Sequence, residues 1–140
     1  MYDKTEPYDG MNEMLCRLRQ KGVRLAVVTN KAHIFANEMV KKYYGDVFDA
    51  VFGSVEGLPK KPDPYWVKKA LEEIKCRPEE CVYVGDSSVD MQTAQNSGIF
   101  SCGVLWGFRE KELLIEHGAS VFASTAAELR EKIDLFFKNR

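Results

Sequence analysis

Residues 81–98 have the pattern of a strand, a tight turn and a helix. A short apolar run at residues 82–84 ends at Gly85, and Asp86 and Asp90 follow in a segment of helical character that stops at Gly98. In a parallel sheet such a turn lies at the carboxyl end of its strand, where open α/β folds bind ligands. Two carboxylates at this point are suited to binding a cation.

Strand and helix patterns alternate along the rest of the chain. Apolar runs predict strands at residues 23–28, 50–52, 100–105 and 120–123. Helical spacing of apolar residues predicts helices after Gly10, Pro64 and Thr125 and over residues 32–44 and 110–117. In the helix at residues 32–44, Phe35 and Val40 are expected to face inward. This alternation is typical of parallel α/β proteins, and 140 residues suffice for one core. We therefore expect a single domain over residues 1–140, a three-layer, Rossmann-like parallel sheet flanked by helices.

Composition and charge argue against several classes of function. Twenty Lys and Arg residues balance twenty-one Asp and Glu residues, so the formal net charge is -1 and nucleic acid is not an expected partner. The four cysteines form no C-x-x-C pair, so we expect reduced thiols rather than a zinc site. No apolar run approaches the roughly 20 residues of a membrane span, and no secretory signal is recognisable. The sequence predicts a cytoplasmic protein without a membrane partner.

Polar residues suited to phosphate chemistry lie at two predicted strand ends and in one loop. Thr29 and Asn30 follow the strand at residues 23–28, and Lys61 lies in the loop that precedes the helix after Pro64. Because the carboxyl ends of parallel strands share one edge of the sheet, these residues can converge with Asp86 and Asp90. A hydroxyl, an ammonium group and a carboxylate-bound Mg²⁺ would form a phosphate clamp.

The spacing also leaves a purely structural explanation open for each residue. Asp86 could accept hydrogen bonds from the amides that start the next helix, and Asp90 could be favoured there by the helix dipole. Thr29 and Asn30 could form a turn or a cap, and Lys61 could be a solvated surface group, as most lysines are.

Three segments together resemble the second, third and fourth motifs of the haloacid dehalogenase-like hydrolases, in the same order and spacing. They are Leu25-Ala26-Val27-Val28-Thr29-Asn30-Lys31, Lys61-Pro62-Asp63-Pro64 and Val84-Gly85-Asp86-Ser87-Ser88-Val89-Asp90. The segments at residues 7–10, 103–108 and 118–119 are most similar to the phosphoglycolate phosphatase branch. The resemblance covers nearly the whole chain, and the three motifs are specific in combination.

The resemblance implies Mg²⁺-dependent hydrolysis of a small phosphorylated metabolite through an aspartyl-phosphate intermediate. Thr29 and Lys61 would be catalytic: Thr29 would bind the transferring phosphoryl group, and Lys61 would hold phosphate and nucleophile together. Asn30 would join them in binding substrate, through its backbone amide or its side chain. Asp86 would ligate Mg²⁺, and Asp90 would lie near the metal or near Lys61.

The first motif of that family, a strand that ends in Asp-x-Asp-Gly-Thr, has no counterpart in this sequence. It supplies the nucleophile and the general acid/base, and Asp9-Gly10 does not replace it because no apolar strand precedes it. The helical cap domain that selects substrate in this branch has no counterpart either. We therefore expect an incomplete haloacid dehalogenase-like core, the C-terminal part of a longer enzyme, that is inactive alone.

In the family the first-motif strand lies between the strands that correspond here to residues 24–28 and 82–84. Without it two strand edges are unpaired, and unpaired edges favour association. Three outcomes are open: the two edges pair with each other, the chain self-associates through them, or the missing segment is supplied in trans.

A non-catalytic α/β binding or assembly module that keeps the phosphate and metal site is the alternative to a phosphatase. The joint presence of Thr29, Lys61 and Asp86 weighs against complete loss of site function. A receiver-like signalling domain fits less well, because such a domain needs an acidic pair after its first strand, where this chain has Thr29 and Asn30.

Overall fold

Strands and helices alternate through residues 10–104, 115 and 118–139, which are the residues that the computed structural model describes. The elements are α1 (Met11–Gln20), β1 (Ala26–Ala32), α2 (His33–Tyr44), β2 (Ala50–Ser54), α3 (Tyr65–Ile74), β3 (Val82–Gly85), α4 (Ser88–Ser97), β4 (Phe100–Val104), β5 (Val121–Ala123) and α5 (Ala126–Lys138). The parallel α/β architecture predicted from the sequence is confirmed. Most of the helix predicted at residues 110–117, and the segments at residues 7–9 and 105–108, lie outside the described residues.

Local sequence signals fix several of the helix ends. Gly98 ends α4 in the left-handed conformation at φ 70°, which glycine adopts without steric cost. Thr125 caps α5, since its Oγ1 accepts a hydrogen bond from the Glu128 amide at 3.1 Å. Glu128 reaches back to accept from the Ser124 amide at 3.1 Å. These reciprocal bonds satisfy amides that a helix leaves without intrahelical partners.

The strands pair in two separate parallel sheets within the described part of the chain. One sheet has the order β1-β2 and the other β3-β4-β5. Val27 pairs with Val51 in the first sheet, and Val84 pairs with Cys102 in the second. Among the described residues β1 and β3 do not pair with each other, so the first of the three outcomes expected for the two edges is wrong.

The core has one apolar cluster on each face of the strands, which gives three layers. The first cluster contains α1 and α5 together with Leu25 and Cys102, and the second contains α3 together with Val28 and Ile99. Strand β3 shows the alternation directly: Val82 and Val84 pack on the first cluster, and Tyr83 packs on the second. Because each cluster contains residues from both halves of the chain, packing on the two faces holds the two sheets together.

The structure differs from the sequence prediction at β1 and α2. Strand β1 continues past the predicted end at residue 28, and its register against β2 is irregular between Val28 and Ala32. The buried residues of α2 are Ala36 and Val40, whereas Phe35 is 64% exposed, so its predicted inward orientation is wrong. One position along a helix turns a side chain by about 100°, and the small Ala36 takes the face that meets the sheet.

No helix in the described ranges is long and apolar enough to cross a membrane.

Candidate active site

Hydrogen bonds bring Asn30, Lys61 and Asp90 together at the carboxyl ends of β1 and β3. The Lys61 amide donates to Asn30 Oδ1 at 2.9 Å, and Asn30 Nδ2 donates to the Lys61 carbonyl at 3.4 Å. Lys61 Nζ then donates to Asp90 Oδ1 at 2.7 Å. Three segments that are distant in sequence therefore meet at one edge of the fold, as the topology predicted.

Thr29 lies in the irregular part of β1, directly before Asn30. Its side chain is buried, with 1% of the residue exposed, and its Oγ1 accepts a hydrogen bond from the Lys31 amide at 3.2 Å. Irregular strand pairing of this kind redirects side chains and occurs often beside functional sites. The structure thus places Thr29 at the same strand end as the other predicted residues, with its hydroxyl engaged by the local backbone.

Asn96 fixes the loop that carries Lys61. Its Nδ2, on α4, donates to the Pro62 carbonyl at 2.9 Å. The loop is therefore held from two sides, by Asn30 on β1 and by Asn96 on α4. This role of Asn96 has no signal in the sequence, because a solvated asparagine on a helix surface has the same pattern.

The turn between β3 and α4 is organised by Ser87 rather than by Asp86. Ser87 is the N-cap residue of α4, and its Oγ accepts from the Asp90 amide at 3.2 Å. Asp90 Oδ2 accepts from the Asp86 amide at 3.1 Å. The capping role considered for Asp86 thus belongs to Ser87. The spacing Ser87-x-x-Asp90 is that of a capping box and could have revealed it.

Gly85 allows Asp90 to approach the end of β3. A Cβ atom on Gly85 would lie 2.3 Å from Asp90 Cβ and 2.6 Å from its carboxyl carbon. Contacts under 3 Å are not tolerated between such atoms, so a larger residue at this position would displace Asp90 and with it the partner of Lys61.

Lys61 and Asp90 form a buried ion pair. Their side chains are 7% and 3% exposed. Burial by itself would raise the pKa of Asp90, but nearby positive charge, which includes the Lys61 ammonium, and hydrogen bonds from Lys61 and Ser87 lower that pKa below its ordinary value. Asp90 is therefore ionised in the folded protein at neutral pH, and it accepts hydrogen bonds through both carboxylate oxygens.

The Lys61 ammonium has donor capacity that the fold does not use. An ammonium group carries three N–H donors. Among the described residues, Asp90 is the only hydrogen-bond acceptor for Lys61 Nζ. The remaining donors of this nearly buried cation are suited to a negatively charged oxygen atom.

Asp86 is the carboxylate that the sequence predicts as a metal ligand. It directly follows Gly85 at the end of β3 and is half-buried. Both oxygens of Asp90 accept hydrogen bonds, one from Lys61 Nζ and one from the Asp86 amide. No group of three His, Cys, Asp or Glu side chains in the described ranges could hold a metal. Mg²⁺ keeps several waters and uses only one or two carboxylates, so Asp86 suits such an ion as a single ligand. Metal binding by Asp86 and Asp90 stays a prediction.

The fold and the site define an α/β protein with a buried lysine–carboxylate pair at the carboxyl edge of its parallel strands. Residues 1–104 match the family model described as haloacid dehalogenase-like hydrolase, and the chain belongs to this family. The fold class and the family predicted from the sequence are thereby confirmed.

Known proteins similar to this chain include several whose names describe phosphatases. A "putative pyrophosphatase PpaX" from Caldanaerobacter subterraneus is 37% identical over 111 residues, covering 79% of this chain and 50% of the relative. A phosphoglycolate phosphatase from Neisseria meningitidis is 36% identical over 118 residues, covering 83% of this chain and 50% of the relative. A crystal structure from Lactobacillus delbrueckii, described as a "putative phosphoglycolate phosphatase", superposes with a TM-score of 0.87 at 38% identity and covers 91% of this chain and 54% of that one.

These matches support the phosphoglycolate phosphatase-like branch named from the sequence. They also show that the chain spans about half the length of the curated relatives it matches.

Proposed function

We propose that this chain forms the phosphate- and metal-binding part of a Mg²⁺-dependent phosphatase that acts on small phosphate monoesters. The observation that carries the proposal is the Lys61 ammonium, which is held at 2.7 Å from Asp90 in a nearly buried position with donors left for a ligand. A fixed cation in a water-poor site stabilises phosphate oxygens more strongly than a solvated lysine does.

Asp90 acts in this proposal as a positioning residue. Its hydrogen bond sets the direction of the Lys61 side chain, and its carboxylate is the counter-charge of the buried ammonium. Asn30 fixes the backbone of Lys61 with its side chain, so its route to substrate is the backbone amide rather than the side chain. Thr29, at the same strand end, would donate its hydroxyl proton to the phosphoryl group.

Asp86 would hold Mg²⁺ at the end of β3. The ion, when bound, would neutralise charge on the phosphate oxygens. Asp86 would orient it, with the amino end of α4 adding a favourable dipole for the anionic substrate. Phosphoglycolate is the substrate to test first, because it names the activity of relatives that are more than 30% identical.

The 140 residues alone are expected to bind phosphate without turning over substrate. Covalent phosphoryl transfer requires an attacking group, and the nucleophilic aspartate that the family resemblance implies is not in this sequence. The complete reaction would need a carboxylate supplied by another segment at the carboxyl edge of the strands.

Isothermal titration of inorganic phosphate into the purified chain, with and without Mg²⁺, tests the proposal. We expect saturable binding that Lys61→Met weakens by at least tenfold. Lys60→Met is the matched control, because Lys60 is the adjacent, exposed lysine, and its binding should equal that of the wild type. Asp86→Asn should remove only the enhancement by Mg²⁺. Absence of binding at millimolar phosphate would refute the proposal and favour a non-catalytic module.

Hydrolysis of phosphoglycolate and of an aryl phosphate by the same preparation tests the expected inactivity. We expect the wild-type chain to hydrolyse both compounds no faster than the Lys61→Met variant does. Turnover that Asp86→Ala abolishes would show that a residue of this chain replaces the missing aspartate, and would contradict this part of the proposal.

A further inference from the structure

Strand β1 contains a bulge at the point where it reaches the candidate site. Val28 pairs with Phe52 and Ala32 pairs with Ser54, so β1 advances by four residues while β2 advances by two. A bulge disrupts the ladder locally and redirects the side chains of the longer strand. The extra length lies in residues 29–31, which include two of the residues predicted to bind substrate. Contacts that hold the bulge in place therefore also hold part of the site.

Gly53 of β2 lies against the backbone of this bulge. A Cβ atom at this position would lie 2.6 Å from the Lys31 carbonyl oxygen and 2.5 Å from His33 Cα. Contacts under 3 Å are not tolerated between such atoms, so the close approach needs glycine. The end of β1 thus packs directly on the backbone of β2.

The His33 side chain fastens the same contact. The Gly53 amide donates a hydrogen bond to His33 Nδ1 at 3.1 Å. Asn37 Nδ2 donates to the His33 carbonyl at 2.9 Å and holds the first turn of α2. Because a backbone amide can only donate, Nδ1 must be the unprotonated ring nitrogen and Nε2 must carry the hydrogen. The bond to Gly53 therefore exists only while the His33 ring is neutral.

No carboxylate among the described residues forms an ion pair with His33. The ring lies beside Phe52, with 6.5 Å between the ring centroids, and β2 has no titratable side chain. The Asn37 amide group, whose Nδ2 is 3.3 Å from Nε2, does not titrate. The titratable side chains on the adjoining elements are Lys31 on β1, Glu38, Lys41, Lys42, Tyr43 and Tyr44 on α2, and Glu56 two residues after β2.

We propose that His33 is a positioning residue for the candidate site and makes anion binding at that site depend on pH. His33 is exposed, so its ring exchanges protons with solvent. An imidazole ordinarily gains a proton at about pH 6.5, and the new N–H group at Nδ1 would face the Gly53 amide, which is also a donor. The bulge that carries Thr29 and Asn30 then loses its link to β2, and phosphate binding weakens as the pH falls. This inference rests on the proposed function.

Calorimetric titration of inorganic phosphate into the wild type and into His33→Asn, at about pH 8 and about pH 5.5, tests the proposal. Asn places an oxygen near the position of Nδ1 and does not take up a proton, so the two proteins should bind equally at the higher pH. At the lower pH the wild type should bind about two- to tenfold more weakly than the variant, the effect of one net hydrogen bond. Phosphate changes its own charge over this range, but equally for both proteins, so the ratio of their dissociation constants isolates the ring.

His33→Gln is the matched control for His33→Asn. Its longer side chain places the amide group near the position of Nε2 and leaves the Gly53 amide without an acceptor at Nδ1. Phosphate binding by this variant should be weak at both pH values. Wild-type affinity of His33→Gln at about pH 8 would show that the bond to Gly53 does not position the site, and the proposal would be wrong.

The Gly53 amide gives a second measurement, without phosphate and on the wild type. Its chemical shift in two-dimensional NMR spectra should move together with protonation of the His33 ring, and it should stay constant in His33→Asn. A Gly53 shift that does not follow the ring would overturn the proposal. Should His33→Asn fail to fold, this titration of the wild type decides.

Failure of this inference differs from failure of the proposed function. Phosphate binding with the same pH profile in the wild type and in His33→Asn would refute the role of His33 alone, since Lys61 would still bind the anion. Absence of phosphate binding at both pH values would refute the proposed function, and the role of His33 would fall with it.

Discussion

Breaking the Lys61–Asp90 pair should destabilise the fold far more than breaking any surface pair. Asp90→Ala removes the only described acceptor for Lys61 Nζ and also the acceptor for the Asp86 amide. The Lys61 side chain is 7% exposed, so water can solvate the abandoned ammonium only after the loop opens. The variant should therefore carry an uncompensated buried charge.

The expected loss is about 3–5 kcal/mol of unfolding free energy, the cost of leaving one partner of a buried pair alone. Domains of this size have roughly 5–15 kcal/mol in total, so the variant should remain measurably folded in mild conditions. The surface pair of Lys21 with Asp134 provides the comparison. Its charged atoms are 3.3 Å apart, but its side chains are 52% and 39% exposed, so Lys21→Ala should cost less than about 1 kcal/mol.

Urea unfolding of a double-mutant cycle measures the interaction free energy of the Lys61–Asp90 pair. The cycle consists of the wild type, Asp90→Leu, Lys61→Met and the double variant. Because the double variant leaves no buried charge, it should lose about 2–3 kcal/mol less than the sum of the two single losses. An additive cycle, or a loss below about 1 kcal/mol for Asp90→Ala, would show that the pair is solvated and that Lys61 is not the fixed cation inferred here.

Three further outcomes follow from the same contacts. Gly85→Ala should lower the unfolding free energy measured in urea by about 1–3 kcal/mol, because the new Cβ would lie 2.3 Å from Asp90 Cβ. Wild-type stability of this variant would mean that the turn relaxes freely. The fold lowers the pKa of Asp90 below its ordinary value of 3.8, so the ionised carboxylate stabilises the fold. This stabilisation is fully present above pH 3.8 and is lost as the pH falls through the lowered pKa of the folded state. Urea midpoints measured from about pH 6 down to pH 3 should accordingly fall less steeply in Asp90→Asn than in the wild type, and parallel curves would contradict the assignment. With a thiol reagent at pH 8, the exposed Cys16 should react first. Burial raises the pKa of Cys81 to about 12 and that of Cys102 to about 11, so these two thiols should react only slowly until the chain unfolds. Rapid labelling of Cys102 would refute its burial.

The convergence of Asn30, Lys61 and Asp90 was predictable because it depends on topology. Parallel strands joined by helices place their carboxyl ends on one edge, whatever the details of the loops. The use of the Asn30 side chain was not predictable. Its partners are the amide and carbonyl of Lys61, and their position depends on the path of a loop that Asn96 holds from the other side. Such a path is set by tertiary contacts, which sequence spacing does not encode.

Two other differences have local causes. Ser87 and Asp86 are both good N-cap residues, and only the Ser87-x-x-Asp90 spacing distinguishes them in the sequence. The close approach of Asp90 to Gly85 decides, because it brings the Asp90 carboxylate back onto the Asp86 amide. For α2, apolar periodicity gave weight to the large Phe35, although the small Ala36 is the residue that packs against the sheet.

The polar site also connects the two sheets. The bonds from Asn30 to Lys61 and from Lys61 to Asp90 span from β1 to the turn after β3. Because β1 and β3 belong to separate sheets in the described part of the chain, these bonds link the two sheets at their carboxyl ends. The buried pair therefore joins the sheets at one end and keeps a cation in place there, with donors to offer to an anion. Loss of the pair should accordingly lower the unfolding free energy and weaken phosphate binding in the same variant.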